Sequence, residues 1–183
     1  LNNGARLSAV DAITIVEGQT ASFLVNQLSG NAAPVVSGNT GGAVETLEIH
    51  GTDSADTIDL EALQFTISNT APVMVAVDAG VGADTVAGRN GIDNTYIYNT
   101  GDVGTGETIA FGDLDDTFVV ESSPGFGAMN GGNSALTGLD TVELAEGTTA
   151  TFNAAQLDGL TVAINGSGNN GGESLVVNGG NTP

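Results

Sequence analysis

The sequence predicts an all-β protein, a parallel β-solenoid of short strands joined by Gly-, Asp- and Asn-rich turns. Three observations predict it. No window keeps the i, i+3, i+4 apolar spacing of a helix for three turns. Short β-branched runs recur instead, each bounded by turn residues. One tripeptide type, an acid then Thr or Ser then an apolar residue, also recurs along the chain: Glu45-Thr46-Leu47, Asp56-Thr57-Ile58, Asp84-Thr85-Val86, Glu107-Thr108-Ile109, Asp116-Thr117-Phe118, Asp140-Thr141-Val142 and Glu173-Ser174-Leu175.

In chain order the expected strands are 12–16, 20–24, 33–37, 44–49, 57–60, 63–67, 73–77, 84–87, 95–98, 108–111, 117–121, 141–144, 149–152, 160–164 and 174–177. Each is four to six residues, most of them rich in Val, Ile, Thr, Tyr or Phe, the residues that fit a pleated surface. The 28 glycines supply the positive φ angles that tight turns need between them. Only 61–65 and 153–157 have the composition of a helical turn. In each tripeptide the apolar third residue is expected to fill the core of one coil, with the acid at the corner before the strand. A β-sandwich is the competing architecture; it calls for stronger two-residue alternation and hairpin turns between matched strands.

Charge narrows the function. The 183 residues carry 22 acidic side chains against two basic ones, Arg6 and Arg89, for a net charge of −20. Two arginines cannot neutralise a run of phosphates, which excludes a nucleic-acid binder, and the same shortage excludes docking on an anionic membrane. With no Lys and no Cys, Schiff-base and thiol chemistry, disulfides and thiolate metal sites are absent. The longest apolar stretch, 71–77, is far too short to span a bilayer as a helix. Yet 40% of residues are hydrophobic and spread along the whole chain, so the sequence folds rather than staying disordered. A single-signed charge destabilises a compact state by self-repulsion. Bound cations are the expected counter-charge.

The sequence is internally repetitive. Residues 1–30 align without gaps on 130–159, and ten of the thirty positions are identical, among them Glu17, Gly18, Phe23, Gln27 and Leu28 with Glu146, Gly147, Phe152, Gln156 and Leu157. With a small shift, 44–51 continues onto 173–179. The expected organisation is one long β repeat unit at 1–129 and the start of a second copy at 130–183. The chain is expected to be a piece of a longer or processed protein.

Several turns have the composition of a calcium loop. Calcium takes six to eight oxygen ligands from carboxylates and backbone carbonyls, and the nonapeptide G-G-x-G-x-D-x-U-x can supply them. Residues 79–87 match it with only the first Gly replaced, which nominates Gly80, Gly82 and Asp84. The next nine, 88–96, keep Gly91 and Asp93, although Arg89 brings a cation into the turn. Degenerate copies nominate Asp53 and Asp56 upstream and Asp113 and Asp116 downstream. The competing reading of each is a solvated Asp at a β-turn.

On these motifs, residues 50–120 resemble the RTX, or hemolysin-type calcium-binding, repeats. The resemblance implies a bacterial secreted protein whose repeats fold as a calcium-loaded parallel β-roll, with Ca2+ between turns stacked two nonapeptides apart. This chain has only two consecutive nonapeptides. In general character the long unit is similar to the repeats of bacterial surface-layer proteins and giant adhesins.

Catalysis is not expected. Asp113, Asp115 and Asp116 form the densest acidic cluster, but aromatic residues are only 4% and cations are scarce, so a sugar-binding platform is lacking. His50 is replaced by Asn178 in the second copy, which assigns it to the surface. The expected function is an extracellular, calcium-stabilised structural repeat protein that assembles with copies of itself in a bacterial surface layer, filament or adhesin stalk. Surface polysaccharide is a further candidate partner. The alternatives are a ligand-binding adhesin module and a non-catalytic calcium-binding module of a secreted enzyme.

Overall fold

A computed structural model describes residues 7, 10–28, 34–38, 42–66, 73–168 and 171–179. It contains fifteen strands: β1 (Ala12–Thr14), β2 (Thr20–Leu24), β3 (Val35–Ser37), β4 (Glu45–His50), β5 (Thr57–Asp59), β6 (Gln64–Thr66), β7 (Val73–Asp78), β8 (Thr85–Ala87), β9 (Asn94–Tyr98), β10 (Thr108–Ala110), β11 (Asp116–Val120), β12 (Leu139–Leu144), β13 (Thr149–Asn153), β14 (Ala163–Gly166) and β15 (Ser174–Asn178). Two four-residue helices, α1 (Val25–Leu28) and α2 (Ala154–Leu157), and a 3-10 segment, Phe126–Gly132, complete the fold. Each strand overlaps one of the expected runs. Residues 61–65 do not form a helix: they turn through a Leu63 N–H···O Leu60 bond and lead into β6.

Every strand pairing among the described residues is parallel, which excludes the sandwich of antiparallel hairpins. The chain winds a β-solenoid of about six turns. One face is a seven-stranded sheet in the order β14-β12-β11-β9-β7-β4-β2. A second face, before it in each early coil, holds β1, β3 and β6, and a third face after it holds β5, β8 and β10. Further along this third face the 3-10 segment replaces a strand. There Asn130 Oδ1 accepts from Ile109 N–H at 2.8 Å and its Nδ2 donates to Ile109 O at 2.9 Å, as a neighbouring strand would. The stack continues with β13 and β15.

Strand alternation fills the interior. In the large sheet the register aligns Phe23, Ile49, Val77, Tyr96, Phe118, Val142 and Ile164 in one inward row. On the third face Ile58, Val86 and Ile109 do the same. Six of the seven apolar third residues of the tripeptides are core residues, as expected: Leu47, Ile58, Val86, Ile109, Phe118 and Val142 are buried, whereas Leu175 is half-buried. An aromatic stack, Phe118–Phe126 at 5.1 Å and Phe126–Phe152 at 4.5 Å between centroids, carries the core across the later coils.

The sequence repeat is also a structural one. At an offset of 129 residues, β2 and α1 coincide with β13 and α2, and β1, β3 and β4 fall on β12, β14 and β15. The pairings recur too, β1 on β3 as β12 on β14, and β2 on β4 as β13 on β15. Small details follow. Gln27 Oε1 accepts Leu24 N–H and Gln156 Oε1 accepts Asn153 N–H, each at 2.8 Å. Gly18 and Gly147 both turn with positive φ, +65° and +73°. The second copy is nevertheless rotated by one face: β2 lies in the large sheet, whereas β13 lies on the third face. The unit is therefore not a whole number of coils; coil length itself varies from 19 to 29 residues.

Phe118 is fully buried and touches four aromatic neighbours, Tyr96, Tyr98, Phe111 and Phe126. Phe118→Ala is expected to destabilise the fold by about 3–5 kcal/mol, measured as a lower midpoint in urea.

Candidate functional site

The corner between the large sheet and the third face carries most of the nominated residues. Here the turns 51–56, 79–84 and 101–107 lie one over another. Several of their glycines, Gly51, Gly80 and Gly104, are required by backbone contact. A Cβ on Gly104 would sit 1.8 Å from Gly82 O, and one on Gly80, whose φ is +79°, would sit 2.5 Å from Thr52 O. The Gly-x-Gly pattern thus serves close stacking of successive coils.

After each turn stands the acid of the tripeptide. Strand alternation puts residues i and i+2 on one face, so the acid faces inward together with the apolar residue. Asp84, Glu107, Asp116 and Glu45 are fully buried. The carboxylates of Asp84, Glu107 and Asp116 each reach the backbone of the coil before them. Asp84 Oδ1 accepts from Asp56 N–H at 2.8 Å, and Glu107 Oε2 accepts from Asp84 N–H at 2.9 Å. Asp56 Oδ2 closes its own turn, accepting from Thr52 N–H at 2.6 Å and Thr52 Oγ1 at 2.8 Å. A second ladder runs along the large sheet. Asp116 Oδ1 accepts from Asn94 N–H at 2.9 Å and Asn94 Nδ2 at 2.7 Å, its Oδ2 accepts from Gly112 N–H at 2.7 Å, and Asp140 Oδ2 accepts from Asp116 N–H at 3.0 Å.

The remaining nominated residues lie apart from these ladders. Asp53 and Asp93 are exposed. Asp113, also exposed, accepts Gly91 N–H at 2.6 Å. Asp93 precedes β9 at a different corner from Asp84, and Asn94 beside it takes the buried first position of the strand. Gly80 and Gly82 belong with Asp84, and Asp56 one coil earlier; Gly91 and Asp93 do not join them. Among the described residues no three His, Asp or Glu side chains converge as a cage for a metal ion. The Arg89 guanidinium lies 5.1 Å from the centroid of the Phe65 ring and donates to Leu63 O at 2.5 Å and to Glu61 O at 3.4 Å.

Three buried polar residues of the corners were not nominated as ligands: Glu107, Asn94 and Asp102. Glu107 and Asn94 open strands that the tripeptide or the strand pattern marks, and the inward face of position i is the signal for both. Asp102 is buried within a turn it closes through Asn99 N–H; it falls nine residues after Asp93, but the glycines of the nonapeptide are lost around it.

The first ladder is electrostatically loaded. Asp84 Oδ2 and Glu107 Oε1 are buried without a hydrogen-bond partner among the described residues. Burial is the main cause that pushes the Glu107 carboxyl up, to about 8, with the nearby Asp84 and Asp102 charges adding to it and the Asp84 N–H opposing it. Burial also raises Asp84 and Asp102 above the usual carboxylate range. On the outer surface of the large sheet, His50 stands between Glu48, 3.2 Å from Nε2, and Asp78, 3.5 Å from Nδ1. Ser22 donates to the same Glu48 at 2.6 Å, and this bond holds the Glu48 carboxyl below its usual range.

No protein family model, curated protein or solved structure matches the chain. The fold and the ladders define it as a parallel β-solenoid with buried carboxylates at its corners.

A raised carboxyl pKa means that the folded state holds more protons than the unfolded one. The stability Glu107 allows is therefore full below pH 4.5 and falls as pH rises towards about 8. Glu107→Gln keeps an acceptor for Asp84 N–H and removes the charge. In chelator, the variant is expected to match the parent near pH 4 and to exceed it by roughly 2–4 kcal/mol at pH 9, read from urea titrations across pH. Gly104→Ala is expected to lower the melting temperature by several degrees through its backbone clash, read by circular dichroism.

Proposed function

We propose that the chain is a structural module of a bacterial cell surface, a non-catalytic solenoid that assembles with copies of itself as part of a surface layer, filament or adhesin stalk. The observation that carries this reading is the recurrence of β1–β4 as β12–β15 with the same pairings. A chain built from a stackable unit extends its core by adding coils, and stability in such proteins is a sum over neighbours. The acidic, lysine-free composition supports an exported location, and no helix among the described residues is long and apolar enough to cross a membrane.

Calcium enters the proposal as counter-charge. The buried acids of the ladders spend oxygens on backbone amides, whereas Asp53, Asp93, Asp113 and Asp115 stand exposed at the turns. With a net charge of −20, cations gathered there relieve repulsion within a copy and between copies. The test compares thermal melting and electron micrographs in calcium and in chelator. Calcium is expected to raise the melting temperature and to promote elongated particles. Equal melting in chelator removes calcium from the proposal, and a monodisperse monomer in every condition removes assembly.

A further inference from the structure

The outer surface of the large sheet sets the chain's single histidine between two carboxylates. His50 Nε2 stands 3.2 Å from Glu48 Oε2, and Nδ1 stands 3.5 Å from Asp78 Oδ2. Glu48 and His50 are two residues apart on β4 and so share its outward side. The register sets Glu48 beside Ser22 of β2 and His50 beside Asp78 of β7. Ser22 Oγ donates to Glu48 Oε2 at 2.6 Å. Water reaches the group: the His50, Glu48 and Asp78 side chains are 37%, 27% and 28% exposed.

The arrangement is one cation short. A neutral imidazole has one N–H and one bare nitrogen. Between two carboxylates only one nitrogen can donate, and the other meets an anionic oxygen lone pair to lone pair. A carboxylate at one ring nitrogen favours the tautomer that holds the proton there and aims the other nitrogen at a metal. Asp78 has that place at Nδ1, which leaves Nε2 facing Glu48 Oε2. Zinc bonds of about 2.0–2.2 Å to nitrogen and oxygen put two such donors about 3.0–3.5 Å apart. The 3.2 Å between Nε2 and Oε2 meets that span.

The solenoid itself does not need these side chains. Ser22 pairs with Glu48 and Leu24 with His50, as Thr151 pairs with Val176 and Asn153 with Asn178. The second copy thus keeps the strand pairing and loses both the glutamate and the histidine.

We propose that His50 Nε2 and Glu48 Oε2 bind a transition-metal dication of the Zn2+ type, with Asp78 orienting the imidazole, Ser22 holding the carboxylate and water completing the coordination. Two protein donors make an open site rather than a closed cage. It differs in kind from the acidic turns: calcium takes oxygen ligands, whereas imidazole suits zinc, copper and nickel. Binding here requires no assembly of copies.

The test titrates the full chain with Zn2+ in excess calcium, which competes for sites made of oxygen alone. The imidazole 1H and 15N signals report on the site, and with one histidine in the chain they belong to His50. Zn2+ is expected to shift the Nε2 signal more than the Nδ1 signal and to saturate at one equivalent, and calcium alone to leave both in place. His50→Asn and Glu48→Val borrow the residues of the second copy. Both are expected to melt like the parent by circular dichroism and to bind Zn2+ at least about tenfold more weakly by calorimetry. Imidazole signals that Zn2+ moves no more than calcium does overturn the site and leave a proton as the cation between Nε2 and Glu48. Undiminished Zn2+ affinity in folded His50→Asn overturns it as well.

Discussion

Parallel stacking of coil on coil is the constraint from which the rest of this structure follows. Each strand must align with the one before and after it, so whatever occupies an inward position in one coil meets the same position in the next. For Phe118, Tyr96 and Val142 this alignment gives a continuous apolar row. For Asp84 and Glu107 it gives carboxylates buried one above another, a costly arrangement unless each finds a donor. The donor is the backbone amide at the start of the preceding strand, which has no partner strand residue to satisfy it at the corner.

That arrangement explains why acids are tolerated inside a chain that already carries so much negative charge. A carboxylate oxygen accepting a backbone N–H is in a charge-assisted hydrogen bond, stronger than a neutral one. It ties two coils together at the point where the chain leaves a loop and enters a strand. The cost falls on the second oxygen. Asp116 satisfies both of its own, through Asn94 and Gly112. Among the described residues Asp84 and Glu107 each leave one buried oxygen without a hydrogen bond, and Glu107 answers by holding its proton more tightly. The two ladders use one device at different electrostatic cost.

The glycines belong to the same logic. At the corner where 51–56, 79–84 and 101–107 overlie one another, the backbones approach until no Cβ fits at Gly104. A Gly-rich acidic turn is usually taken as a cation loop. In this fold its geometry equally serves coil stacking, with glycine bringing the strands near enough for the acid of one coil to reach the amide of another.

Strand positions were legible in the sequence because β-branched runs bounded by Gly, Asn and Asp are a local signal, and the inward burial of Ile58, Val86 and Phe118 followed from alternation within three residues. The same alternation places Asp84 and Glu107 inward. A solvated acid is the ordinary expectation for a turn, and it obscured that consequence. The nonapeptide frame singled out Asp93, although the first position of the strand belongs to Asn94. The partners of the acids were not legible at all. Coils of 19 to 29 residues carry no fixed spacing, so nothing local says that Asp84 lies beside Asp56 and Glu107. The 129-residue repeat was visible in the letters, but its rotation from one face to the next was not. Local periodicity determines which residues form strands and which side turns inward. Only the winding of the chain decides which coils meet, because the loops between strands set the phase of every stack.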